Sequence, residues 1–180
     1  MHDVAINPST GDLRQRFSAL LEAHRGIVGK VAFAYTRSAH DRDDLMQEIA
    51  TELWRSFHRY DVSRSFPTWA YRVALNVAIS HLRRTTRRSA EPLPSDMTSP
   101  TPPEPDPRIG ELRRAMEAFP PLDRALLMLY LDEQSYAEIA EVLGITETNV
   151  ATKIGRLKQT IRRDMTAARP DTSGAHHGTR

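Results

Sequence analysis

Apolar residues recur at three- and four-residue intervals along most of the 180-residue chain, and no stretch alternates in the two-residue rhythm of a half-buried strand. Between 13 and 37, Leu13, Phe17, Leu20, Leu21, His24, Val28 and Val31 follow this spacing, which predicts a helix broken near Gly26 or Gly29. Leu45, Ile49, Leu53 and Phe57 come next at four-residue steps. Asp41 is the expected N-cap of that helix, with Asp43 and Asp44 in its first turn, where the helix dipole favours negative charge. The segment YDVSRS then interrupts the pattern, and Pro67 suits the first turn of a long helix over FPTWAYRVALNVAISHLRR.

The periodicity stops at SAEPLPSDMTSPTPPEPDP, residues 89 to 107, with 7 prolines in 19 residues and no basic residue. Such a stretch lacks the apolar side chains of a core element and reads as a stiff, extended linker. Beyond it, 108 to 118 predicts a short helix and LDRALLMLYL a second, strongly apolar one. Ser135 and Glu138 form a capping box for a third helix, which Gly144 ends. Thr146 is the N-cap of a fourth, whose Val150, Ile154, Leu157 and Ile161 face inward. The expected fold class is therefore all-α, as two small helical domains joined by a proline-rich linker. Their expected bounds are 13 to 88 and 108 to 168, between a flexible N-terminus at 1 to 12 and a disordered tail at 169 to 180.

Composition narrows the functional classes. With no cysteine, the chain has no disulfides, thiolate zinc sites or cysteine nucleophiles. No apolar run approaches the roughly 18 residues of a spanning helix, and the N-terminus has neither a basic n-region nor an apolar h-region. The expected compartment is the cytoplasm. A net charge of +2 conceals strong segregation: residues 1 to 88 carry 14 basic and 9 acidic side chains, 89 to 107 carry none and 4, and 108 to 180 carry 11 and 10. Basic clusters at Arg83 to Arg88 and Lys153 to Arg163 stand far apart in the chain, as two separate polyanion contacts require.

Each cluster ends a candidate nucleic-acid motif. SYAEIAEVLGITETNVATKIGRLKQTIRR has the pattern of a helix-turn-helix, with small Ala140 at the helix crossing and Gly144 at the turn. Its second helix exposes Glu147, Thr148, Asn149 and Thr152, then Lys153 and Arg156. That order places short polar groups where base edges are read and cations where phosphates lie. In the first half, HLRRTTRR is too rich in arginine for a core, although Phe66, Trp69, Val73 and Val77 read as core. Aromatic residues beside a loop, Asn76 with its base-edge donors and acceptors, and arginines beyond suit single-stranded nucleic acid.

Taken together these segments resemble the extracytoplasmic-function group of bacterial RNA polymerase sigma factors, in the sigma-70 family. DRDDLMQEIATELWRSFHRYD is similar to region 2.2, FPTWAYRVALNVAISHLRR to regions 2.3 and 2.4, and FPPLDRALLMLYLDEQSYAEIAEVLGITETNVATKIGRLK to region 4. The likeness spans about 14 to 88 and 109 to 163. It implies a non-enzymatic specificity subunit, without cofactor or metal, that directs core polymerase to promoters. Asp44, Leu45, Gln47, Glu48 and Trp54 would then lie on or support the surface that grips the clamp coiled coil of core polymerase. Loop 61 to 66, with Ser63 and Arg64, and the helix carrying Trp69, Asn76, Arg83 and Arg84 would open the melting element and hold single-stranded promoter DNA. Glu147, Thr148, Asn149, Thr152, Lys153 and Arg156 would read the upstream duplex. The resemblance further implies that an anti-sigma partner, where one exists, covers the surface near 41 to 57. Departures from the family pattern stand at Ala70, Leu75 and Ser80.

The linker supports two-site reading independently of that likeness. Nineteen extended residues at about 3.1 Å each reach roughly 60 Å, or about 17 base pairs. Two other classes are distinguishable. A plain helix-turn-helix regulator binds intact duplex tightly without polymerase. An enzyme would have to use the His40, Asp41, Asp43, Asp44 and Glu48 cluster as a metal site, whereas consecutive acids opening a helix serve the helix dipole.

Overall fold

The computed structural model of the protein describes residues 10–90 and 107–167. The expected disordered tail and most of the expected linker lie outside them. Eight α-helices and one short 3-10 turn make up the secondary structure of the described residues: α1 (Thr10–Ala23), α2 (Arg25–Tyr35), α3 (Ala39–Ser56), the 3-10 turn Phe57–Arg59, α4 (Phe66–Ala90), α5 (Pro107–Glu117), α6 (Pro121–Leu131), α7 (Tyr136–Leu143) and α8 (Glu147–Ala167). No strand occurs among them. Helix α1 starts inside the stretch expected to be flexible. The first long pattern breaks at His24, before the two expected glycines, where the backbone leaves the helical region at φ −121° and ψ 22°. Ser38, rather than Asp41, caps α3: its Oγ accepts the Asp41 N–H at 3.0 Å and donates to the Asp41 carboxylate at 2.7 Å.

Helices α2, α3 and α4 pack on one another to form the first core. Leu45, Ile49 and Leu53 line up along α3 and are wholly buried, as the four-residue spacing requires. On α4 the deepest positions are Ala70, Tyr71, Ala74, Leu75 and Ala78, while Trp69, Val73 and Val77 are partly covered. Small residues at four-residue steps let neighbouring backbones approach closely. The second core joins α6, α7 and α8 through Leu126, Leu129, Ile139, Val150 and Ile154. Each such side chain contributes about 1.5–3 kcal/mol by leaving water.

The two groups of helices are not separate. Helix α2 packs against α5 and α6, and α4 packs against α7. Arg124 of α6 lies at the centre of this seam, 7% exposed. Its Nε donates to the Met116 carbonyl and one Nη to the Ala34 carbonyl, each at 3.1 Å; the other Nη donates to Glu117 at 3.1 Å and Phe119 at 3.4 Å. Ala34 and Met116 belong to the last turns of α2 and α5, whose final carbonyls have no partner within their own helix. One buried cation thus satisfies the negative ends of two helix dipoles from different halves of the chain.

Further ties surround it. The Tyr35 hydroxyl donates to the Pro121 carbonyl at 2.6 Å, and Arg124 sits over the Tyr35 ring at 5.4 Å. Burial raises the Tyr35 hydroxyl far above the usual tyrosine range, against the opposing charge of Arg124. Asp132, just past α6, receives both the Lys30 ammonium from α2 and the Tyr71 hydroxyl from α4. Arg37 pairs with Glu117 at 3.2 Å, and Arg113 donates to the Arg37 carbonyl at 2.9 Å. Replacing Arg124 by Met would keep the bulk and leave buried carbonyls unpaired. Urea unfolding of Arg124→Met is expected to show a loss of about 1–3 kcal/mol, and a loss within error would show that the guanidinium is dispensable.

Candidate nucleic-acid interface

Helix α3 divides its residues by face. Leu45 is buried with Ile49 and Leu53, so it supports the helix and is not itself presented to a partner. Asp44 and Gln47 are exposed on the opposite side, and Asp44 pairs with His40 at 3.6 Å. Trp54 is 40% exposed and rests on the buried Phe17 ring of α1, 5.2 Å between centroids. An indole held by an aromatic support offers a rigid apolar surface.

The loop before α4 is built by local chemistry. The Asp61 carboxylate accepts the Ser63 backbone N–H at 2.9 Å and its hydroxyl at 2.8 Å, a side-chain turn typical of aspartate. These bonds, with Arg64 nearby, hold the Asp61 carboxyl below the usual carboxylate range. Tyr60 donates its hydroxyl to the Arg64 carbonyl at 2.7 Å. Its ring stacks on Phe57 and contacts Phe66 and Trp69, at 5.7, 5.6 and 5.1 Å. Trp69 is therefore part of an aromatic platform beneath the loop. Asp61 opens the expected loop 61 to 66, whereas Tyr60, which bonds the Arg64 carbonyl from just before it, was not among the expected site residues; the Asp-x-Ser spacing in YDVS is the signal for the turn. The Arg64 guanidinium meets Glu141 of α7 at 3.0 Å.

Two residues expected on different surfaces share one cleft. Glu48, Glu52 and Ser56 of α3 and Val73, Asn76, Val77, Ser80 and Arg84 of α4 line a cavity of about 370 Å³. Asn76, Ser80 and Arg84 follow at four-residue steps on one face, and Arg83 is exposed beside them. Glu48 does not stand free for a partner: it receives the Arg84 guanidinium and contacts the His81 ring at 3.2 Å. Burial raises its pKa, but the hydrogen bonds from Arg84 and His81 outweigh that effect and leave the carboxyl below its usual range.

The second motif has the expected geometry. Ser135 and Glu138 form a reciprocal capping box at α7, and Gly144 ends that helix at φ 67°, where a β-carbon would be strained. Thr146 Oγ1 accepts the Asn149 N–H at 3.2 Å as α8 begins. Val150, Ile154 and Leu157 are buried, and Glu147, Thr148, Asn149, Thr152 and Arg156 are exposed. Lys153 bonds Asp123 of α6 at 3.3 Å, so part of its charge braces the domain. Lys158 lies over the Tyr130 ring at 4.3 Å. Among the described residues no cluster of three or more His, Asp or Glu side chains is placed to hold a metal ion, and no helix is long and apolar enough to cross a membrane.

An all-helical chain with a helix-turn-helix at one end and a basic helix with an aromatic loop at the other defines a class of nucleic-acid-binding proteins. Comparison with known proteins specifies the family. Residues 20–88 match sigma-70 region 2 and residues 109–161 match sigma-70 region 4. The chain is 30% identical over 169 residues to the ECF RNA polymerase sigma factor SigE of Mycolicibacterium smegmatis, covering 88% of this chain and 65% of that one. It is 24% identical to SigW of Bacillus subtilis over 83% of this chain and 88% of the relative. A probable RNA polymerase sigma factor of Xanthomonas campestris, RfaY, is 26% identical over 84% of this chain and 41% of its own length. The chain thus spans under two thirds of two of these relatives. Among solved structures, the sigma factor RpoE of Bartonella quintana, in complex with the anti-sigma factor NepR, superposes with a TM-score of 0.66 at 15% identity, over 89% of this chain and all of that one. CnrH, in complex with the cytosolic domain of CnrY, gives 0.67 at 19% identity, over 87% and 91%. The protein belongs to the sigma-70 family, whose regions 2 and 4 it matches.

Because Glu48 titrates lower in the folded chain, its brace between α3 and α4 is complete above the usual glutamate value of about 4.3 and is lost as pH falls through the folded value. Thermal melts between about pH 6 and 3 should therefore show a shallower acid loss for Glu48→Gln than for the unchanged chain. Parallel curves would remove Glu48 from the acid response.

Proposed function

We propose that this chain is a dissociable sigma factor that directs core RNA polymerase to specific promoters. The observation that carries this reading is the presence of three distinct surfaces on one chain: the exposed Asp44, Gln47 and Trp54 edge of α3, the loop and α4 face from Ser63 to Arg84, and the polar start of α8. The α3 edge would dock on the clamp coiled coil of core. Loop 61–66, Trp69, Asn76, Arg83 and Arg84 would take the melted strand, since unstacking a base costs only a few kcal/mol that a cleft and phosphate contacts recover. Glu147, Thr148, Asn149, Thr152, Lys153 and Arg156 would read the upstream duplex from the major groove. Leu45 and Glu48 act from below, Leu45 as core and Glu48 by fixing Arg84 against α3.

Sixteen residues separate α4 from α5. Fully extended at about 3.1 Å each they reach about 50 Å, or about 15 base pairs. Bond making belongs to the polymerase, and the protein works where polymerase and chromosome meet, in the cytoplasm. An anti-sigma partner acting near 41 to 57 would compete with core for Asp44 and Gln47.

Run-off transcription with sigma-free core, this protein and fragmented genomic DNA should yield defined RNA 5′ ends. Asp44→Ala/Gln47→Ala, on an exposed edge, should lower both core affinity and transcript yield at least tenfold with unchanged helicity. Tight sequence-specific duplex binding without core, and no starts with it, would instead identify an ordinary helix-turn-helix regulator.

A further inference from the structure

The surfaces proposed for polymerase and DNA leave one apolar feature of the molecule without a role. Between α2, α5 and α6 lies an open groove of about 400 Å³, lined by Gly29, Phe33, Ala34, Met116 and Met128. Leu112 and Leu131, which also line it, are 44% and 53% exposed. None of these residues belongs to the three surfaces described above. Clefts of about 300–1,000 Å³ with apolar walls and a few polar groups are the usual form of a small-molecule site. Two methionines give this one walls that adapt to what they cover.

Gly29 gives the groove its room. It sits inside α2 and has no positive φ, so the backbone does not require glycine there. Packing does not require it either: among the described residues, a β-carbon at Gly29 would meet no side chain and no other helix within 4 Å. Glycine weakens a helix interior relative to alanine, and one of its uses is to let a ligand come close to the backbone. The space over Gly29 is therefore kept open at a cost in helix stability that no contact among the described residues offsets.

One end of the groove is charged, and the balance there favours an anion. The Lys30 ammonium donates to one oxygen of Asp132, whose other oxygen accepts the Tyr71 hydroxyl. Both oxygens of that carboxylate are thus engaged. An ammonium has three N–H donors, and Asp132 is the acceptor that Lys30 meets among the described residues, on a side chain that is 51% exposed. Two further cations stand at the aromatic wall, with the Arg42 and Arg113 guanidiniums 5.2 and 5.8 Å from the centre of the Phe33 ring.

The geometry points to a binding site for a small amphiphilic anion: an apolar body seated on Phe33, Met116, Met128 and the open backbone at Gly29, with its carboxylate bonded to Lys30. The ligand is a free acid, because a single molecule can enter a cleft between three helices and the flat surface of a bilayer cannot. Bound acid stabilises the folded chain by mass action.

Decanoate below its micelle-forming concentration, titrated into the full chain by calorimetry, should bind once per chain. At about 100 times its Kd it should raise the melting temperature by about 5 °C. Decan-1-ol, with the same tail and no charge, should bind at least tenfold more weakly, and Lys30→Met should bring decanoate down to the affinity of the alcohol. Gly29→Leu should fill the groove and abolish binding, with unchanged circular dichroism and a melting temperature no lower than that of the parent. Leu131→Gln, at an exposed position, should weaken decanoate binding at least threefold without any effect on folding. Equal affinity for acid and alcohol, or decanoate binding unaltered by Gly29→Leu and Leu131→Gln, would overturn the site. So would many molecules bound per chain, the mark of a detergent, or capture of the chain on phosphatidylglycerol vesicles with no binding of soluble decanoate, the mark of a membrane contact. The titration uses neither polymerase nor DNA, so its outcome is independent of the sigma reading.

Discussion

Arg124 is the interaction on which the tertiary arrangement turns. It is a fully charged group taken almost entirely out of water, and its compensation comes from carbonyl oxygens at two helix ends and the segment following one of them. Carbonyls that end a helix need donors, and a guanidinium presents five in a fixed fork. Because Ala34 belongs to one half of the chain and Met116, Glu117 and Phe119 to the other, satisfying them joins α2 to α5 and α6. Tyr35, Asp132 and Glu117 then find their partners across the same seam.

That arrangement sets what each surface can do. The first half offers an α3 edge to solvent while α4 is held on its other sides by α2, α3 and α7. Its loop is shaped by Tyr60 and Asp61, which bond the Arg64 carbonyl and the Ser63 backbone and hydroxyl. In the second half, the start of α8 projects short polar side chains, and Lys153 and Lys158 are partly committed to α6. On the proposed reading, recognition by this helix would therefore depend more on Thr148, Asn149, Thr152 and Arg156 than a count of cations suggests.

Much of this was legible in the residues. The helices over Leu45 to Leu53 and over Val150 to Ile161, the capping box at Ser135 and the turn at Gly144 all follow from spacing and from backbone groups that need local partners, and each stands where expected. The α3 cap moved to Ser38 because a hydroxyl three residues before Asp41 can bond both its N–H and its carboxylate. The expectation that Glu48 lies on or supports the α3 surface carried no sign of its bond to Arg84, 36 residues away in the chain. Pairings of that range leave no mark in local periodicity.

Sequence alone determined the all-helical class, the apolar faces of the helices, the caps, the charge segregation and the resemblance to a sigma factor, because each depends on residues within a few positions of one another or on an ordered motif. Tertiary structure alone decided that Arg124 is buried, that Asp132 joins α2 to α4, that Glu48 and Asn76 share a cleft, and that Arg64 meets Glu141. These are contacts between residues up to about a hundred positions apart, and a one-dimensional pattern reports which face of a helix is apolar but not which distant helix will cover it.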